Sequence, residues 1–397
     1  MILTVSTVKD SRQNVQRFVE GNLSSGADHM FVFLDADDDE VRRYLLDQPN
    51  VTTVVTDEKY WGRHRPDNLN HRQMTNANLV NCVLASLPWA QWLAHIDGDE
   101  CLEIDREALR GLGPEVRAVH LSSLESVSEE VRSETLWFKR LLDPEDLALL
   151  TSLGVIAAPE NRRYFSGHVH GKTAVRPALD VTVGVHRPKM RSGERLRMHE
   201  GPFHVLHYES FSLDEFVRKW TTLVGSGAPN TKPKRVLVSG AVAAVLRNEN
   251  LDASAKERHM RGIYQRHVQD PVDLLLELGL LVTPRPEFHN YRPAGPSETQ
   301  RRELDVVLEA LLRVDKRRLG PGRELPKVLE LMHDTGARLQ EQHPTVAANI
   351  DGAIRRARAA HEHAESQASA QRDVARTPRA ALTRLARRTP GLPSRLR

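Results

Sequence analysis

The sequence predicts a doubly wound α/β domain with a mainly parallel sheet, followed by a C-terminal helical region. Three observations carry that expectation. Short apolar runs alternate with helix-periodic segments over the first 130 residues, as βαβ units require. The apolar runs are continuous rather than alternating, which marks strands covered on both faces. Beyond residue 235 the helical period dominates.

Ile2 to Val8 reads as the first strand. Ser11 to Ser25 follows with Val15, Phe18, Val19 and Leu23 on one helical face and Asp10 or Ser11 as N-cap. Met30 to Leu34 is an apolar strand, Asp39 to Leu46 a short helix, and Val51 to Val55 a β-branched strand. A long helix runs from Leu69 to Leu87 and stops at Pro88. Strands are expected at Trp92 to Ile96 and Ala118 to Leu124. The pattern is irregular after residue 130, with short strands at Lys172 to Arg176, Val181 to Val185 and residues 203–208, then a helix from Leu213 to Leu223. After a loop from Gly225 to Lys234, helices are expected at Val236–Arg247, Ser254–Val268, Val272–Leu280, Glu298–Val314 and Leu325–Gln340. The expected division is an α/β domain over 1–225, a helical region over 235–345, an exposed helix over 346–370, and a basic, disordered tail over 371–397.

The chain has 397 residues, 40% hydrophobic and 27% charged, with a mean hydropathy of −0.47. It has no run of 18 apolar residues, so no membrane span is expected. The start reads as a strand without a signal peptide. The only cysteines, Cys82 and Cys101, fall inside expected core elements, which suits a reducing cytoplasm. The net charge of +3 is uneven: residues 371–397 hold eight Arg against one Asp, leaving the rest near −4. A nucleic-acid partner would call for a basic stripe on the folded part. The tail is instead a candidate contact with an anionic membrane surface.

Two strands end in acid: Asp35-Ala36-Asp37-Asp38-Asp39-Glu40 after the second, and Asp97-Gly98-Asp99-Glu100 after Trp92 to Ile96. In an open α/β sheet the carboxyl ends of the strands are where ligands bind. Paired carboxylates there suit a hard divalent cation, Mg²⁺ or Mn²⁺, holding a diphosphate. Asp35 and Asp37 are assigned to a nucleoside, and Asp97 and Asp99 to ribose and metal. Asp38, Asp39 and Glu40 read as the cap of the next helix. P-loop and G-x-G-x-x-G motifs are absent, which disfavours an NTPase or a Rossmann dehydrogenase.

The order strand-helix-strand-acid, then Arg72-Gln73-x-x-Asn76, then Trp92-Leu93-x-x-x-Asp97-x-Asp99-Glu100-Cys101-Leu102, resembles the family-2-like glycosyltransferases of GT-A fold. The similar branch carries Phe where this chain has Cys101. Gly171-Lys172-Thr173-Ala174-Val175-Arg176-Pro177, His186-Arg187-Pro188, His204-Val205-Leu206-His207-Tyr208 and Ser212-x-x-Glu215-Phe216-x-x-Lys219-Trp220 resemble its downstream blocks. The resemblance covers residues 1–220. It implies a nucleotide-diphosphate sugar donor, a hydroxyl acceptor on a glycan, lipid-linked or other molecule, and transfer with inversion. It also implies a histidine completing the metal site: His207, with His204 and His186 as competitors. Gln73 and Asn76 would bond the donor. From their spacing alone, Lys172 and Arg176 fall on one face of a strand (i, i+4), where they could neutralise the leaving diphosphate. Inversion needs a base near the acceptor hydroxyl, with Glu209, Asp214, Glu125 and His168 as candidates. His168-Val169-His170 reads as an acceptor-side or structural pair rather than a zinc site. Two other classes fit a similar sheet: a metal-dependent nucleotidyltransferase or phosphodiesterase, and a non-catalytic nucleotide-binding assembly protein.

Overall fold

The computed structural model describes residues 1–130, 136–225 and 233–376. It opens with β1 (Ile2–Val8), α1 (Arg12–Ser24), β2 (His29–Leu34), α2 (Asp39–Leu46), β3 (Val51–Val55), α3 (Glu58–Trp61), α4 (Leu69–Ala85) and β4 (Trp92–His95). Next come β5 (Glu100–Ile104), α5 (Arg106–Gly111), β6 (Ala118–Ser126), β7 (Phe138–Lys139), α6 (Pro144–Ser152), α7 (Asn161–Tyr164), β8 (Lys172–Val175), β9 (Val181–Thr182), β10 (Lys189–Met190) and β11 (Phe203–His207). The remainder is α8 (Leu213–Gly225), α9 (Pro233–Arg247), α10 (Ala253–His267), α11 (Val272–Glu277), β12 (Leu281–Val282), α12 (Glu298–Leu312), α13 (Leu325–Leu339) and α14 (Pro344–Arg376).

The sheet runs β12-β7-β6-β8-β4-β1-β2-β3. The β4-β1-β2-β3 half is parallel throughout. Every residue of β1, β2 and β4 is buried, as continuous apolar strands between two helical layers require. β8 enters antiparallel between β4 and β6. β11 then pairs parallel with β6 and antiparallel with β5, which curls the sheet around its own carboxyl edge. Ser11 caps α1 by accepting from the Asn14 N–H, and Asp38 caps α2.

One face of the sheet packs on α4, α12, α13 and α14. The other packs on α1, α2 and α5. The C-terminal helices therefore do not form one appendage. α8, α9 and α10 make a separate cluster around Phe216, Trp220, Val242 and Tyr264, while α12 to α14 complete the main core. The helix expected to be exposed over 346–370 is a correction. Val346, Ala347, Ile350, Ala353, Ile354 and Ala357 are buried in that core. Their i, i+3, i+4, i+7 spacing is a genuine apolar stripe, and α13 approaches it closely where Gly336 meets Ile350. Of the tail, residues 371–376 continue α14, and the rest lies outside the described residues, as does most of the expected loop from Gly225 to Lys234. Among the described residues no helix is long and apolar enough to cross a membrane.

Candidate functional site

β4 ends at His95, and Ile96 to Asp99 form a tight turn closed by the Glu100 N–H on the Asp97 carbonyl at 3.1 Å. The Glu100 side chain reaches back to accept the Asp97 N–H at 2.8 Å, which fixes the turn from both sides. Gly98 suits the turn, because a Cβ there would press on Val8 at the end of β1 at 3.2 Å. The turn thus presents Asp97, Asp99 and Glu100 at the carboxyl edge of the parallel strands.

Two other elements close over it. β11 lies beside β5 and carries His207 toward the turn, with Nε2 3.7 Å from Asp99 and 3.6 Å from Glu209. Helix α8 supplies Lys219, whose ammonium bridges Asp99 (2.9 Å) and Glu209 (3.0 Å). Arg235, near the start of α9, holds Glu209 at 2.9 Å. On the β8 side, Lys172 is fully buried and sits 2.6 Å from Asp97 and 3.5 Å from Glu100. Behind His207, Glu125 accepts the Ser166 and Gly167 N–H groups and pairs with Lys139, which also meets Asp270. Gly167 lets the chain pass close to the site, because a Cβ there would collide with His207 and Glu125.

Six carboxylates in this contiguous cluster (Asp97, Asp99, Glu100, Glu125, Glu209, Asp270) therefore face four Lys or Arg partners (Lys139, Lys172, Lys219, Arg235). That leaves a surplus of two negative charges in a buried place, where each uncompensated charge is costly. Burial opposes ionisation of Asp97 and Glu209, yet Lys172 in one case and Lys219 with Arg235 in the other hold both carboxyls at about 2. Asp99 is half-buried, which opposes its ionisation, but it is driven well below its usual range by Lys219 and His207. Burial would lower the His207 pKa, but Asp99 and Glu209 outweigh it and raise it to about 9. A proton on His207 thus offsets part of the surplus.

The donor set fits a divalent cation. Asp99, His207 and Glu209 can each bring one ligand atom within 4.8 Å of the others, and so can Glu100, His168 and His207. Glu100 Oε1, both ring nitrogens of His168 and His207 Nδ1 are buried without a hydrogen-bond partner. Oxygen donors with one imidazole suit Mn²⁺ or Mg²⁺. One divalent charge with His207 neutral would balance the cluster.

The other acidic strand end is built differently. Asp35 receives Arg72 through Nε (2.9 Å) and Nη2 (2.7 Å), and Arg65 at 3.0 Å. Asp37 is exposed. Gln73, the next residue of α4, donates to Asp97 at 2.8 Å, so consecutive residues of one helix tie the two strand ends together.

Several expectations change here. Asn76 does not face a ligand; it is fully buried, donating to Thr7 and accepting from the Tyr60 hydroxyl. Arg176 does not accompany Lys172. The two share a strand face, but four residues of strand separate them by about 13 Å, and Arg176 instead donates to the Val116, Leu112 and Gly113 carbonyls at the opposite edge. His204 points away from the turn, toward Glu103 and Arg285, because it is an odd number of residues from His207. His186 bonds the Gly171 carbonyl and packs edge-on against His168, one layer out from the carboxylates. Asp214 is exposed on the first turn of α8, and among the described residues no ion pair joins it to the cluster. His168 stacks on His207 at 5.0 Å and lies 3.2 Å from Glu100. Sequence reasoning did not assign Glu100, Lys219 or Arg235. Glu100 and Lys219 stand inside the quoted blocks, whereas Arg235 reaches the site only through the fold.

No family model matches the chain, and no curated protein does. Among solved structures, it is similar to the apo structure of WbbM, a bifunctional glycosyltransferase, at 11% identity and a TM-score of 0.22. The likeness covers 44% of this chain and 31% of that one, so this chain spans less than a third of the other's length.

Proposed function

We propose that this chain is a metal-dependent glycosyltransferase that moves a sugar from a nucleotide-diphosphate donor to a hydroxyl acceptor. The observation that carries the reading is the buried surplus of carboxylate at the carboxyl edge of β4, with an imidazole and unpartnered ligand atoms facing it. Asp99, His207 and Glu209 would hold the cation. A divalent ion bound there supplies Lewis acidity and a template for the diphosphate. Lys172 and Lys219 face the same edge and offset the charge that develops on the leaving diphosphate. Gln73 orients Asp97 toward the donor ribose. The nucleoside end is assigned to the rim bearing exposed Asp37, with Asp35 as the anchor beneath it.

His168 is the proposed base. Glu209 and Glu125 are both held ionised by cations, which makes them weak proton acceptors. His168 Nε2 faces Glu100 at 3.2 Å, a carboxylate that orients the ring, and Nδ1 is left to take the proton of an acceptor hydroxyl. Its ring packs on His207, which fixes its orientation.

The reading is tested by incubating the full-length protein with a panel of nucleotide sugars, with Mn²⁺ or with EDTA, and identifying products by phosphorus NMR. Nucleoside diphosphate released only with Mn²⁺ is expected. Nucleoside monophosphate with sugar phosphate would mean cleavage within the diphosphate, as in a phosphodiesterase. Nucleotide-dependent thermal stabilisation without turnover would mean a binding protein.

A further inference from the structure

β9 and β10 form a short ribbon on the edge of the core, and its two faces differ sharply. Met190, Leu196 and Met198 pack inward against the main core. Arg187, Lys189, Arg195 and Arg197 are all exposed, and among the described residues none of the four lies in an ion pair. The alternation at 195–198 is the two-residue period of a strand-like segment, so the cations share the outward face. Lys189 and Arg195 stand directly opposite each other in an antiparallel bridge. Like charges so placed destabilise a strand pair, so folding does not account for them. The turn is open to solvent: a side chain at Gly193 would meet nothing within 4 Å.

The ribbon also leaves the rim of the carboxylate site. His186, between β9 and β10, accepts the Thr173 hydroxyl through its carbonyl at 2.8 Å, and Thr173 follows Lys172. Outside residues 371–397 the chain carries a net charge near −4, so this is a cationic ribbon on an anionic body.

We propose that this ribbon docks on the surface of a bilayer containing anionic phospholipid, with the site rim turned toward the membrane. Charge complementarity selects the partner: four cations sharing one exposed outward face suit a field of headgroup phosphates rather than one small anion. The proposal stands whether or not the transferase reading does.

The test is co-sedimentation of the full-length protein with neutral phosphatidylcholine vesicles and with vesicles containing one third phosphatidylserine. Binding only to the anionic vesicles is expected, and salt should weaken it. Each cation removed should cost about fivefold in partitioning, so Arg187→Gln, Lys189→Gln, Arg195→Gln and Arg197→Gln together should cost about 600-fold. Lys189→Glu alone should weaken vesicle binding yet raise the melting temperature, since it now faces Arg195 with opposite charge. A second full-length chain with Arg379, Arg384, Arg387, Arg388, Arg395 and Arg397 changed to Gln separates the tail from the ribbon and should still bind. Wild type indifferent to anionic lipid, undiminished binding by the ribbon variants, or tight binding of soluble polyphosphate without vesicle binding would overturn the proposal.

Discussion

Two parallel strands, β2 and β4, end in aspartate within one sheet, yet their carboxylates are satisfied in opposite ways. Asp35 sits in an arginine clamp, where the planar fork of Arg72 occupies both oxygens and Arg65 adds a third contact. Asp97 and Asp99 are met by lysines, which bring single point charges and leave carboxylate lone pairs free. The arginine end is closed and mechanical: it fixes the start of α4 and, through neighbouring Gln73, the position of Asp97. The lysine end carries a charge surplus. Acid at a strand end is therefore not by itself a site; on the proposed reading, the type of cation facing it distinguishes an anchor from a place for a ligand.

The largest expected effect breaks the lysine end. Asp99→Asn should lower Mn²⁺-dependent turnover by a factor on the order of 10³ or more. Its effect on the melting temperature should be small, because Lys219 keeps Glu209 as a partner and His207 can release its proton. Steady-state rates and a thermal melt on the same preparation check both halves.

Asp35→Asn should do the reverse. It leaves Arg72 without its partner, and breaking a largely buried pair costs about 3 kcal/mol. Chemical denaturation should show that loss, while the metal dependence of the folded fraction stays as in wild type. A nucleotide affinity that falls equally with and without metal would give Asp35 back a direct role at the nucleoside.

The opposite end of β2 offers a pH test that leaves both acidic ends untouched. His29 is buried against Thr52, and burial, aided by Arg301, lowers its pKa to about 3. The unfolded histidine titrates near its ordinary value of 6.5. Its contribution is thus fully present above pH 6.5 and is lost as pH falls toward 3. About 3 kcal/mol should disappear between pH 6.5 and 4, and His29→Gln should flatten that slope in denaturant titrations.

The smallest effect is a control at the far edge. Arg176→Gln should lose about 1 kcal/mol with its carbonyl contacts and change turnover by less than twofold.

Much of this frame is legible in the sequence. The parallel core, the long helix α4 and both acidic strand ends follow from continuous apolar runs and their punctuation. What was missed has physical reasons. β5 begins at Glu100, so its first residue reads as part of the acidic turn, and its strand neighbour β11 lies a hundred residues away. α6 carries a readable signal in the Asp143 cap and Pro144 at its first turn, obscured by the irregular chain around it. Spacing placed Lys172 and Arg176 on one face but could not say that the ligand edge touches only one of them. Asn76 and Gln73 lie three residues apart on α4, yet one is sealed under Tyr60 and the other faces the site. Burial separated them, and burial is a property of the whole fold.

The most direct test of the central claim is Mn²⁺ binding followed by electron paramagnetic resonance in the presence of a saturating nucleoside diphosphate. The wild-type chain should bind about one Mn²⁺ beyond that held by free nucleotide, and Asp99→Asn and His207→Ala should each lose it while Asp35→Asn retains it. Equal Mn²⁺ binding by wild type and Asp99→Asn, or its loss in Asp35→Asn alone, would contradict the assignment of the metal to the lysine-faced strand end.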